Sequence, residues 1–343
     1  MKEILKKRIL LQIDLLTDLY WRLGRLIKTD FNRTEKFKQL INKIPLLRKI
    51  LAKMKTNLVV PQKIITVNLK GGLGNQLFQI AIVLAYGWEH SILAVFKKIP
   101  SAPSRVNPRP VYWDTVFRKL SLVKQQPYNL FLFQEKTRGY YKIPKPTEIC
   151  NLANYNGILF NGYFESEKFF DKFRDKLLPI LFYIDPSEKE YLRQKYPEIY
   201  HGEKITISLH IRRDDNVSHI MKYPPPYLWD FDYYAKSLSY FIKKFGIEKI
   251  LIVVVSDDPI WSKNYFKNEF PELYPIYPHE KDYLDLYLMS CCDHQIIANS
   301  TFSWWAAYLN RNHKKIVIAP KNWDNPIINK SWEWKYMDKW LKF

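Results

Sequence analysis

The chain has 343 residues, 47% of them hydrophobic and 16% aromatic. That suffices for a large core and, by length, about two domains. Its 54 Lys and Arg against 34 Asp and Glu give a net charge of +20. Residues 1–60 carry half of that excess, so the remainder is mildly basic and suits an anionic small molecule as well as a nucleic acid. Cys150, Cys291 and Cys292 show neither zinc-ligand spacing nor a disulfide framework, which fits a reducing compartment.

Residues 1–60 form the first unit. Leu5, Ile9, Ile13, Leu16, Leu19, Leu23 and Leu26 recur at helical spacing among Lys2, Lys6, Lys7, Arg8, Arg22, Arg25 and Lys28. Two readings stand for this extension: a basic amphipathic segment on an anionic membrane face, or a helical hairpin packed on protein. Asp14, Asp18, Arg22 and Arg25 break the apolar run well short of the roughly 20 residues of a membrane span. No signal peptide is expected, so the expected location is the cytoplasm, with peripheral membrane contact through residues 1–60 as one option.

Lys63–Leu69 reads as a strand, Gly71-Gly72-Leu73-Gly74-Asn75-Gln76 as a tight turn, and Leu77–Trp88 as a helix. Glycine there lets backbone approach a ligand. The dinucleotide fingerprint lacks its third glycine and its distal acid, so no nicotinamide or flavin is expected. Residues 91–160, rich in proline and aromatics, read as loops and short elements over a sheet. A short strand around Ile158–Phe160 passes into a polar turn and a helix, and Pro179 to about Gly202 reads as a domain linker with a helix at Pro186–Tyr196.

Ile205–Ile211 is the next clear strand, ending in Arg212-Arg213-Asp214-Asp215. Neighbouring side chains on extended backbone point opposite ways, so one arginine reaches a ligand while the other braces it; a surface charge cluster is the plain alternative. Tyr233–Phe245 reads as a helix and Lys249–Val255 as a fully buried strand closed by Ser256-Asp257-Asp258-Pro259. A helix at Leu284–Ser290 and a strand at Ile296–Ala298 lead to Asn299-Ser300-Thr301-Phe302-Ser303, where a new helix begins. Such a turn caps its helix, and its unpaired N–H and hydroxyl groups also suit a phosphate. Lys315–Ala319 reads as the last strand, with the Trp-rich tail folding back as a cover.

Strands alternating with helices give the α/β class. Four polar clusters follow four strands, and open parallel sheets bind ligands beyond the carboxyl ends of their strands. Arginine, hydroxyls and a helix start suit a diphosphate. Asp257 or Asp258 would accept from ribose or base, and the glycine turn would face the nucleotide across a cleft.

With GGLGNQLFQ at 71–79, GYFESEKFF at 162–170, HIRRDD at 210–215, SDDPIW at 256–261 and NSTFSWWAAYLN at 299–310, the sequence resembles the alpha-1,2-fucosyltransferases, glycosyltransferase family eleven. The resemblance runs over about 63–325. It implies a GT-B-like pair of facing Rossmann-type domains, here 61–200 on the acceptor side and 201–343 on the GDP-fucose side, behind the extension 1–60. It also implies inverting, metal-independent transfer of L-fucose from GDP-fucose to a galactose-terminated oligosaccharide or lipid-linked glycan. On it, Arg212 grips the β-phosphate, with Arg213 next and Asp215 orienting an arginine. Gly72, Gly74, Asn75, His210, Asp257, Asp258, Asn299, Ser300, Thr301, Phe302 and Ser303 complete the expected donor site. Asp214 stands where the family usually has Gly, and Glu165 where Gln is usual.

A base is wanted for the acceptor hydroxyl, and Asp214, Asp215, His219 and Glu167 are the candidates. Asp230-Phe231-Asp232 has the DxD spacing of metal-dependent glycosyltransferases but sits in a loop, so no metal is expected. No nucleic-acid motif appears, and no nucleic-acid partner is expected. The alternatives are fucosyl transfer in another linkage, or a non-catalytic membrane-associated sugar- or nucleotide-binding protein.

Overall fold

A computed structural model of the chain describes residues 63–104, 107–124, 129–137, 139–151, 154–213, 231–323 and 332–343. The expected helices of 1–60 lie outside these. Residues 63–343 form one compact unit.

The first sheet holds β1 (Ile64–Val67), β2 (Leu93–Ala94), β3 (Leu130–Gln134) and β4 (Gly157–Asn161), all parallel, in the order β2-β1-β4-β3. The second holds β5 (Ile205–Ile211), β6 (Ile250–Ser256), β7 (His294–Ile296), β8 (Val317–Ala319) and β9 (Leu341–Lys342), again all parallel, in the order β6-β5-β7-β8-β9. Helices connect and cover the strands: α1 (Leu73–His90), α2 (Arg174–Leu181), α3 (Pro186–Lys195), α4 (Phe231–Phe245), α5 (Pro259–Glu269), α6 (Asp282–Cys291) and α7 (Thr301–Leu309). This is the α/β, GT-B-like arrangement that the resemblance implies.

β6 shows why an uninterrupted apolar run folds this way. Leu251, Val253 and Val255 join one hydrophobic cluster, while Ile250, Ile252 and Val254 join another on the opposite face. Both faces are covered, so no polar alternation is needed. The first cluster is continuous from Ile65 and Phe78 of the first half to Trp304, Trp305 and Val317 of the second. Phe78 meets the rings of Trp304 and Trp305 at 4.6 and 5.0 Å, and Phe170 stacks on Trp305 at 5.5 Å. No helix among the described residues is long and apolar enough to cross a membrane.

Several expectations shift. α1 begins at Leu73 rather than Leu77, with Gly72 as its N-cap, so Gly74 and Asn75 lie in its first turn. The supposedly irregular stretch contains β3, which pairs with β4 over five residues. Pro179 lies inside α2, and the helix expected at Pro186–Tyr196 is α3, Pro186–Lys195. The last strand is β9, beyond Val317–Ala319.

Candidate active site

The carboxyl ends of strands from both sheets border one cavity of about 600 Å³, within the range of ordinary ligand sites. Gly71, Gly72, Leu73, Gly74 and Asn75 line it from the end of β1; Glu135 follows β3, and Tyr163 and Glu165 follow β4. His210, Arg212, Val255, Ser256, Asp257 and Asn299 through Phe302 line it from the second sheet.

The glycine turn is locked from within. Gly71 has a φ of 78°, and its N–H donates to the Pro103 carbonyl at 2.7 Å. The Gln76 amide donates to the carbonyls of Gly71 (2.9 Å) and Pro110 (3.0 Å), while Gln79 bonds both the N–H and the carbonyl of Lys70. A Cβ on Gly72 would meet nothing, so this residue is open to the cavity. Gly74 differs: a Cβ there would lie 2.5 Å from the Thr301 carbonyl carbon and 2.6 Å from the Phe302 nitrogen. Its missing side chain lets α1 touch the start of α7, a protein contact at the edge of the cavity that Gly74 also lines. Thr301 Oγ1 donates to Asn75 Oδ1 at 2.9 Å beside it, joining the two halves.

The arginines point apart, as alternation on extended backbone requires. Arg212 lines the cavity and pairs through Nη1 with Asp257 Oδ2 at 3.1 Å. Arg213 does not line it. Its guanidinium lies 4.1 Å from the Trp261 ring centroid and 3.4 Å from Asp258 Oδ2, and its N–H donates to Asp257 Oδ1 at 2.7 Å. The direct role expected of Arg213 is therefore corrected to bracing. Asp258 also leaves the expected set: it caps α5 by accepting from the Trp261 N–H at 3.0 Å.

At the start of α7, Ser300 Oγ accepts from the Phe302 N–H at 3.3 Å, so capping and cavity lining coexist in one residue. Ser303 is corrected. It is fully buried, 2.9 Å from His210 Nδ1 and within hydrogen-bonding reach of Ala298, and does not line the cavity. Burial, helped by the Arg212 charge, pulls the His210 pKa down to about 3, so the ring is neutral at physiological pH.

Other lining residues were not anticipated. Glu165 pairs with Lys335, whose side chain is only 2% exposed and lies between Trp323 and Trp334 at 5.1 and 4.9 Å. Arg109, Glu280, Asp282 and Asp285 add a charged wall. Burial raises the Asp285 pKa to about 7 and raises Asp282, which accepts from the Tyr112 hydroxyl. Glu135 Oε2 accepts from the Tyr163 N–H at 2.7 Å and Oε1 from the Phe164 N–H at 2.9 Å; burial nonetheless raises its pKa. The spacing of Asp282 and Asp285, one helical turn apart in an apolar helix, was a signal in the sequence.

Asp214, Asp215, His219 and Asp230 lie outside the described residues. Glu167 is buried away from the cavity, and Asp232 is an exposed partner of Lys236. Among the described residues, no three His, Cys, Asp or Glu side chains gather where a metal ion would sit.

The model of Glycosyl transferase family 11 matches residues 33–343. The chain belongs to that family. It is 31% identical over 287 residues to the Escherichia coli O-antigen biosynthesis glycosyltransferase WbnK, covering 74% of this chain and 93% of that relative. It is 28% identical over 296 residues to an E. coli alpha-1,2-colitosyltransferase (76% and 92%), and 24% identical over 281 residues to a Caenorhabditis elegans galactoside 2-alpha-L-fucosyltransferase (74% and 70%). Among solved structures, Arabidopsis thaliana FUT1 with GDP superposes with a TM-score of 0.47 at 14% identity, covering 86% of this chain and 80% of that one. Fucosyltransferase NodZ from Bradyrhizobium gives 0.45 at 14% identity, covering 71% and 93%. A family 11 chain is a glycosyltransferase, so the non-catalytic alternative falls away.

Proposed function

We propose that this glycosyltransferase moves L-fucose from GDP-fucose to the 2-hydroxyl of a terminal β-galactoside, with inversion, in the synthesis of a surface polysaccharide. The observation that carries the reading is the convergence of Arg212 and the Ser300–Thr301 helix start on one cavity, with the glycine turn on its other wall. In the transition state the sugar gains positive character and the departing β-phosphate gains negative charge. The Arg212 guanidinium, the Ser300 hydroxyl and the positive end of the α7 dipole offset that charge, with Thr301 held to Asn75 beside them. Asp257, itself on the cavity wall, holds Arg212, and the Arg213 backbone N–H holds Asp257. The scheme calls for no metal. The names of the relatives support both the alpha-1,2 linkage and a glycan acceptor. Residues 1–60 keep both readings of their sequence, peripheral contact with an anionic membrane face or packing on protein.

The test is GDP release from GDP-fucose in EDTA against a panel of galactose-terminated oligosaccharides, with the product linkage determined by NMR. GDP-colitose is run alongside, because one relative is a colitosyltransferase. An α-1,2 fucosyl product in EDTA is expected. A different linkage, a preference for colitose, or a strict metal requirement would each overturn the corresponding part.

A further inference from the structure

An attacking hydroxyl must lose its proton, and six carboxylates line the described cavity: Glu135, Glu165, Asp257, Glu280, Asp282 and Asp285. Four belong to the half that the proposed reading gives to the nucleotide. Asp257 is paired with Arg212, Glu280 with Lys195 at 2.6 Å, and Asp282 and Asp285 stand on α6, packed on the second sheet. An acceptor displacing GDP in line approaches from the opposite wall, where, among the described residues, Glu135 and Glu165 are the carboxylates. Glu165 is engaged by Lys335. Building on the donor site proposed above, we propose that Glu135 is the general base that takes the proton from the acceptor hydroxyl.

The chain builds a seat for this carboxylate. Glu135 follows β3 and is bonded through its N–H to the Asn161 carbonyl at 2.9 Å, beside β4. The turn after β4 then offers two successive N–H groups, one to each carboxylate oxygen. Making that turn requires φ 52° at Phe164, a conformation a non-glycine residue rarely adopts. It also requires no side chain at Gly162, whose Cβ would lie 2.4 Å from Glu135 Cβ. Two N–H donors hold the ionised form in place and leave further lone pairs for a proton. The charged groups facing it are Glu165, which pushes its pKa up, and Lys70, which pulls it down and whose ammonium sits 4.6 Å from the Tyr163 ring centroid. Burial outweighs the donors, so the carboxylate is more basic than an exposed glutamate. In the step, the acceptor oxygen bonds to fucose C1 and the C1–O bond to the β-phosphate breaks. Its electron pair leaves with GDP, and the hydroxyl proton passes to Glu135.

The experiment compares wild type, Glu135→Gln and Glu135→Asp with two acceptors, a galactoside and azide, which has no proton to lose. For Glu135→Gln the expected result is a loss of about 100-fold or more in kcat with the galactoside. GDP release with azide, KM for GDP-fucose and affinity for GDP should stay unchanged. The acid limb of the wild-type kcat profile, where activity falls as Glu135 protonates, should vanish in Glu135→Gln and persist in Glu135→Asp. A smaller loss, or galactoside and azide reactions falling together, overturns the assignment. So does loss of the acid limb in Glu135→Asp, which also covers the case of a Gln variant that fails to fold. A wild type that releases no GDP from GDP-fucose with either acceptor would instead sink the donor reading itself.

Discussion

Gly74→Ala is the sharpest test of how the cavity is assembled. Alanine near the start of α1 gains at most about 1 kcal/mol of helix propensity over glycine. Against this, the new methyl would sit 2.5 to 2.6 Å from the Thr301 carbonyl carbon, the Phe302 nitrogen and Thr301 Oγ1. Two of these three are backbone atoms, so no rotamer relieves the contact. Nor can α7 retreat, because Trp304 and Trp305 are fully buried behind it. Overpacking of this kind costs about 1–3 kcal/mol, and a backbone obstacle belongs at the upper end. The expected net loss is about 2 kcal/mol, or a fall in Tm of about 3–4 °C for a unit of this size. Prising the helices apart also breaks the Asn75–Thr301 bond and shifts the helix start that faces the diphosphate. A displacement approaching 1 Å costs up to about 100-fold in rate, so a fall in kcat of about tenfold is expected. Scanning fluorimetry and steady-state kinetics measure both, with Gly72→Ala as the control because its Cβ meets nothing within 4 Å; its Tm should not move. If Gly74→Ala kept the wild-type Tm and kcat, the close approach of the two helices would be refuted.

Arg212→Lys replaces a planar fork with a point charge and should lower kcat by about 100-fold in the GDP-release assay with a smaller change in stability; normal turnover would remove Arg212 from the charge-stabilising role. Asp285 gives a pH test. Its folded pKa, raised to about 7 by burial, lies above the unfolded value, so its charge opposes folding. The penalty is absent below about pH 4, grows as pH rises towards 7 and is constant above. Asp285→Asn should therefore raise Tm at pH 8, by the equivalent of a few kcal/mol at most, and leave it unchanged near pH 3.5; equal shifts at both pH values would contradict the sign. Lys335→Met leaves Glu165 without its buried partner and should cost about 3–5 kcal/mol in urea unfolding. Lys335→Met combined with Glu165→Gln should recover most of that loss.

The sequence was most legible where one local rule decided the outcome. Ile205–Ile211 is a strand at both predicted ends because β-branched residues buried on two faces have no competing period. Alternation along extended backbone likewise separates Arg212 from Arg213. Failures came where distant partners decide. Leu130–Gln134 has no clean alternation and becomes a strand because β4 lies beside it, so no local pattern marks Glu135 at its end. Gly72 and Gly74 read as loop formers, yet one caps a helix and the other fits between two helices. Ser303 lies one turn beyond Ser300, and only the buried His210 ring shows that its hydroxyl turns inward. Lys335 neutralises Glu165 across 170 positions, a pairing no local pattern announces.

The hydrophobic cluster that runs from Ile65 through Phe78 to Trp305 and Val317 has a consequence for how this protein melts. The two sheets share this cluster, so calorimetry should record one endotherm where a hinged pair of lobes would give two. A ligand touching only the second sheet then slows amide exchange in the first as well. At a hundredfold excess over Kd it adds about 2.7 kcal/mol to the opening of both together.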